Sequence, residues 1–132
     1  MLIIIFEVPS NERNVLKFLF TIPKNEIIQP YIYAMDIFTF RASLSTATPP
    51  PDISVYLLSL WHDAKGNWDN AHDAIQHIDT RNASWVHAYL HRKEGDIFNA
   101  DYWYSKAGKK RPSSSLDDEW NELAEAFLND AL

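Results

Sequence analysis

The feature that most constrains this chain is an internal repeat. The segment from Leu60 to Ala71 aligns with the segment from Tyr89 to Ala100 at a constant offset of 29 residues. His62 matches His91, Gly66 matches Gly95, Asn70 matches Asn99 and Ala71 matches Ala100. A period of this length marks stacked supersecondary units that bury their apolar faces against one another. In each unit an apolar run reaches a single glycine, then Asn67 or Asp96, then a second run. The glycine can take the positive φ that ends a helix. The Asn or Asp can accept from a free backbone N–H at the start of the next helix. Each unit is therefore expected to be a helix, a tight turn and a second helix. The fold class expected is all-α: a short α-solenoid of two helix–turn–helix repeats with a C-terminal capping helix.

Side-chain periodicity agrees with that reading. Trp68, Ala71, Ile75 and Ile78 form one face of the second helix of the first unit. Ile97, Ala100, Tyr104 and Ala107 form the corresponding stripe in the second unit, with Gly108 and Pro112 as stop signals. Ala71 and Ala100 are small enough for paired helices to approach closely. A fifth helix follows. Ser115 and Asp118 make a capping-box-like pair, and Leu116, Trp120, Leu123, Ala124, Phe127, Leu128 and Ala131 recur at the helical period. Asp117, Glu119, Glu122 and Glu125 are expected on the opposite, solvated face.

The chain changes character at Pro49-Pro50-Pro51. Of its 132 residues and net charge of −6, residues 1–51 contribute no net charge, while all five Trp, all five His and all three Gly lie after residue 51. The division expected is an irregular N-terminal extension with a Pro-rich linker over 1–51 and a helical domain over 52–132. Leu2 to Val8 and Asp36 to Leu44 read as extended, and Asn11 to Ile22 as a short helix ended by Pro23. Ile, Phe, Asn, Lys and Tyr occupy 17 of the first 34 positions, and a second methionine, Met35, follows. That bias suggests Met35 as the natural start, with 1–34 as translated upstream sequence.

Composition excludes several chemistries. The chain has no Cys, so disulfide frameworks, thiol catalysis and Cys-based zinc or iron–sulfur sites are ruled out. Its longest apolar run, Leu2 to Phe6, is far below the ~20 residues of a membrane helix and has no basic flank before it, so neither a membrane nor export is expected and the location expected is cytoplasmic. The acidic balance opposes nucleic-acid binding. The basic cluster Lys106, Lys109, Lys110 and Arg111 precedes the acidic Asp117, Asp118, Glu119 and Glu122, and reads as a locally balanced surface. No nucleophile elbow, phosphate loop or paired acid–base carboxylates stand out, so no catalytic residue and no cofactor are assigned. Tyr102-Trp103-Tyr104 puts three aromatics on successive helical positions, which cannot all face one core.

The turns Gly-Asn-Trp-Asp-Asn-Ala, from Gly66 to Ala71, and Gly-Asp-Ile-Phe-Asn-Ala, from Gly95 to Ala100, resemble those of tetratricopeptide and Sel1-like repeats. Pro112 falls where that pattern places its closing proline. The period is shorter than the usual ~34 residues, and only two units are present. Trp61 to Ala64, Trp85 to Arg92 and Tyr102 to Tyr104 also resemble a group of small bacterial proteins of uncharacterised activity, over residues 52–128. The repeat resemblance implies a groove lined by the first helix of each unit. Tyr56, Leu60 and Asp63 would face it from the first unit, and Trp85, Tyr89, Arg92 and Lys93 from the second. Trp, Tyr and Arg are frequent interface anchors. Tyr56, Trp85, Tyr89, Arg92 and Lys93 are therefore the candidate partner-binding residues, and a protein, a peptide or a second copy the expected partner. The alternative is a small-molecule or metal-binding protein, enzymes included, built on a polar cluster of His62, His87, His91 and Glu94. His87 and His91 share a helix face, and the repeat would bring His62 near His91. No metal motif reads His-x3-His-x2-Glu, so no metal ligand is assigned from the sequence.

Overall fold

A computed structural model of the protein describes residues 35–130. Contacts divide the chain into two units, Met1–Tyr33 and Ala34–Leu132, and the described residues belong to the second. The expectations for Leu2 to Val8, Asn11 to Ile22, the origin of residues 1–34 and the burial of Ala131 fall outside the described residues.

The fold is all-α. It comprises α1 (Ile37–Ser43), α2 (Val55–Ala64), α3 (Trp68–Ile75), α4 (Arg81–Glu94), α5 (Ile97–Lys106) and α6 (Leu116–Asn129), with no strand among the described residues. Every helix from α2 to α6 begins on a side-chain cap. Asn67 and Asp96 accept from the backbone N–H of Asn70 and Asn99, and Ser115 accepts from that of Asp118 at 3.1 Å. Ser54 and Thr80 do the same for α2 and α4. Gly95 ends α4 at φ 91°, a conformation that suits a residue without Cβ.

The Gly-containing turns fold α3 back on α2 and α5 back on α4; α4 also meets α2 and α3. Ala71 and Ala100 are fully buried where the paired helices approach. Tryptophan N–H groups tie elements together: Trp68 donates to the Leu90 carbonyl and Trp120 to the Leu60 carbonyl, each at 3.1 Å. Helix α6 does not extend the row beyond α5. It lies against α2 and α4, with Trp120, Leu123, Ala124, Phe127 and Leu128 buried.

Three local expectations are corrected. Asp36 to Leu44 is not extended: Asp36 caps α1, its Oδ1 accepting from Thr39 N–H at 2.7 Å. Phe40 is fully buried and stacks on Trp120 with ring centroids 5.8 Å apart. A seven-residue helix has little stability of its own, so this burial supports it. Second, a helix precedes Pro51: α1 spans Ile37–Ser43, inside the stretch expected to be irregular. Lys65 Nζ donates to the carbonyls of Leu44 and Thr46 at 2.9 and 3.0 Å, which fastens the start of the presumed linker to α2. Third, Glu119 leaves the solvated face of α6 and is fully buried. No helix among the described residues is long and apolar enough to cross a membrane.

Candidate functional site

The five residues expected to line a groove are engaged within the fold. The Tyr56 ring lies 4.9 Å from that of Phe127, and the Trp85 ring 5.9 Å from the same Phe127. Lys109 Nζ covers the Trp85 ring at 3.6 Å from its centroid. Tyr89 is buried and donates its hydroxyl proton to Asp63 Oδ2 at 3.1 Å, while Lys93 Nζ reaches both Asp63 oxygens at 2.9 and 3.0 Å. Burial, reinforced by the Asp63 charge, raises the Tyr89 pKa, so the phenol stays protonated. Arg92 donates to Glu119 Oε2 at 2.5 Å and to the Ser114 carbonyl at 2.6 Å. Tyr104 donates to the other Glu119 oxygen at 2.5 Å. Helix α6 thus lies across the α2 and α4 faces that carry this row, and Leu60 is fully buried.

Sequence periodicity puts Trp85, Tyr89 and Arg92 on one helix face; it could not show that α6 would pack there. The reason is chemical complementarity between distant segments. Phe127 presents a ring to Tyr56 and Trp85, and Glu119 presents a carboxylate to Arg92 and Tyr104.

The histidines make a different cluster from the one expected. His72, His87 and His91 each offer a ring nitrogen within 4.8 Å of the others. His72 Nε2 and His87 Nε2 are 2.9 Å apart, so one donates and the other accepts. The His87 and His91 rings stack at 4.8 Å, and Trp68 and Trp103 flank the group. Trp103 stacks on His87 at 3.9 Å, and Trp68 on His72 at 4.8 Å. His87 and His91 are buried; His72 is half-buried. Burial, with His72, His91 and Lys106 adding positive charge nearby, lowers the His87 pKa to about 3. Burial also lowers that of His72, with His91 second in effect.

Glu94 belongs to this site through His91, whose Nδ1 lies 2.5 Å from Glu94 Oε1. A carboxylate only accepts, so Nδ1 carries the hydrogen and Nε2 of the neutral ring keeps the lone pair. Asn99 Nδ2 lies 3.2 Å from that Nε2.

His62 is outside the cluster. It sits half-buried on α2, edge-on to Trp61 at 5.4 Å. The helix that meets the histidine row of α4 is α3, so His72 takes the place expected for His62. One signal pointed to it: His72 lies four residues after Trp68, beside the stripe of Trp68, Ala71 and Ile75.

Two further surfaces complete the picture. Phe98 and Tyr102, one turn apart on α5, are 90% and 57% exposed. Of the Tyr102-Trp103-Tyr104 run, Tyr102 faces solvent, Trp103 is half-buried and Tyr104 is buried. A shallow depression of about 490 Å³ lies between α1 and Thr46 to Pro51, lined by residues without titratable side chains. Within the basic cluster, Arg111 pairs with Asp101 at 2.8 Å and Lys106 with Asp79 at 3.2 Å. In the comparisons with known proteins, no family model, no curated protein and no solved structure matches the chain.

Proposed function

We propose that this chain is a small helical-repeat interaction module that binds another protein through the outer face of α5. The observation that carries the reading is the pair Phe98 and Tyr102, two large aromatics exposed at i and i+4 on one rigid helix. Full burial of such a side chain against a partner contributes roughly 1.5–3 kcal/mol, and exposed aromatic patches mark contact surfaces. Ile97, 38% exposed, borders the pair. The row Tyr56, Trp85, Tyr89, Arg92 and Lys93 then has a supporting role: its contacts with α6 and Asp63 hold α4 in place, and α4 holds α5. Two consecutive helix hairpins with a helix closing one side also support the reading as a short repeat array.

The test places a photo-crosslinking amino acid at position 98, and separately at position 102, in cells that make the protein. The same amino acid at the exposed position 69 of α3 serves as control. A defined partner crosslinked from 98 and 102 but not from 69 supports the proposal; indistinguishable patterns from all three positions overturn it. Sedimentation of the purified chain, alone and with Phe98→Ser, distinguishes a second copy from a different protein as that partner.

A further inference from the structure

We propose that His72, His87 and His91 form a binding site for one divalent transition-metal ion of the zinc type, with Glu94 orienting His91 from behind. Three features support this. The first is the donor set: three imidazoles from two helices, with ligand-capable nitrogens within 4.8 Å of one another. Ligands about 2.0–2.1 Å from a zinc ion lie roughly 3.3 Å apart in a tetrahedron. The His72–His87 separation of 2.9 Å is close to that spacing; on metal binding the ring that donates in this pair shifts its hydrogen from Nε2 to Nδ1, so that both Nε2 lone pairs face the ion. His91 sits one turn from His87 on α4, its ring stacked on that of His87 with centroids 4.8 Å apart.

The second feature is the arrangement behind His91. Its Nδ1 hydrogen points at Glu94, which leaves Nε2 as the coordinating atom. A carboxylate on the far nitrogen of a metal-bound histidine fixes the tautomer and strengthens the ligand. On metal binding Asn99, which is half-buried, would release Nε2 and turn its amide to solvent or to a bound water.

The third feature is the surroundings. Trp68 stacks on His72 and Trp103 on His87, so both rings are held from the side by the fold. Three protein nitrogens leave the fourth position of a tetrahedral ion to water or an exogenous anion, as in zinc sites that stay open to ligands. A competing set, His91 with Glu94 and Asp96, is weaker, because the Asp96 side chain already caps α5 through Asn99 N–H at 3.1 Å.

The test uses the full chain, stripped with a chelator and titrated with zinc near neutral pH. One-to-one uptake is expected. The imidazole resonances of His72, His87 and His91 should shift on saturation, with those of His62 and His77 unmoved; this readout needs no variant. His72→Gln, at a half-buried position, should weaken binding at least tenfold, and Glu94→Gln by about tenfold to a hundredfold. His62→Gln should bind as the wild type. Cobalt in place of zinc should give the visible absorption of a nitrogen-rich, four- or five-coordinate ion. Absence of saturable one-to-one uptake, or resonance shifts spread evenly over all five histidines, overturns the site.

Discussion

The guanidinium of Arg92 and the carboxylate of Glu119 meet at 2.5 Å, joining α4 to α6 across 27 residues of chain. Glu119 has no solvent exposure, and its second oxygen accepts from Tyr104. Arg92 also ties the loop ahead of α6 through the Ser114 carbonyl. The group holds the closing helix against the repeat. Removing Arg92 leaves a buried carboxylate without its counter-charge, and such losses cost about 3–5 kcal/mol. Arg92→Ala should therefore lower the free energy of unfolding by about that amount in urea titration. Arg92→Lys should recover only part of it, because an ammonium cannot reproduce the two-nitrogen bridge to Glu119 and Ser114.

Asp63 organises a second buried polar group. It accepts from Tyr89 and Lys93 and is itself buried. Asp63→Ala orphans the buried Tyr89 hydroxyl, at a cost of about 1–3 kcal/mol. Adding Tyr89→Phe to that variant should restore part of the loss, since no unpaired hydroxyl then remains. Urea midpoints of the two variants and the wild type check this, and a double variant no more stable than Asp63→Ala contradicts it.

Phe40 tests whether α1 belongs to the domain. Its ring is fully buried and stacked on Trp120. Phe40→Ala should destabilise the whole helical unit by about 3–5 kcal/mol in one cooperative transition. If residues 35–51 were only a tether, thermal unfolding followed by circular dichroism would not change.

The metal-free chain should lose stability on mild acidification. Burial and neighbouring positive charge place the folded His87 pKa at about 3, below the ordinary histidine value of 6.5. The unfolded chain then binds more protons than the folded one between those values. Stability is fully present above pH ~6.5 and falls as pH drops towards ~3, by at most about 1.4 kcal/mol per pH unit for this one group. His87→Leu should flatten the slope. Chemical unfolding at several pH values in chelator measures it, and equal slopes in both proteins would reject the assignment.

Much of the local structure was legible before any fold was known. Gly95 at φ 91°, the caps Asn67, Asp96 and Ser115, and the buried stripe of α6 follow from short-range rules: a free N–H needs an acceptor, a left-handed residue favours no Cβ, and apolar groups recur every turn. Helix α1 was not legible, because its stability comes from Phe40 meeting Trp120, far along the chain.

The sequence alone determined the helical class, the two Gly-turn hairpins and the closing helix, since each rests on interactions within about one or two turns. Only the tertiary structure decided which faces meet. It laid α6 over the Tyr56, Trp85 and Arg92 side, drew Glu119 into the interior, and brought His72, not His62, to His87 and His91. Periodicity specifies which side of a helix is buried but not against what. That choice is made by shape and by pairing of polar groups across the core, where every fully buried side-chain nitrogen and oxygen among the described residues has found a partner.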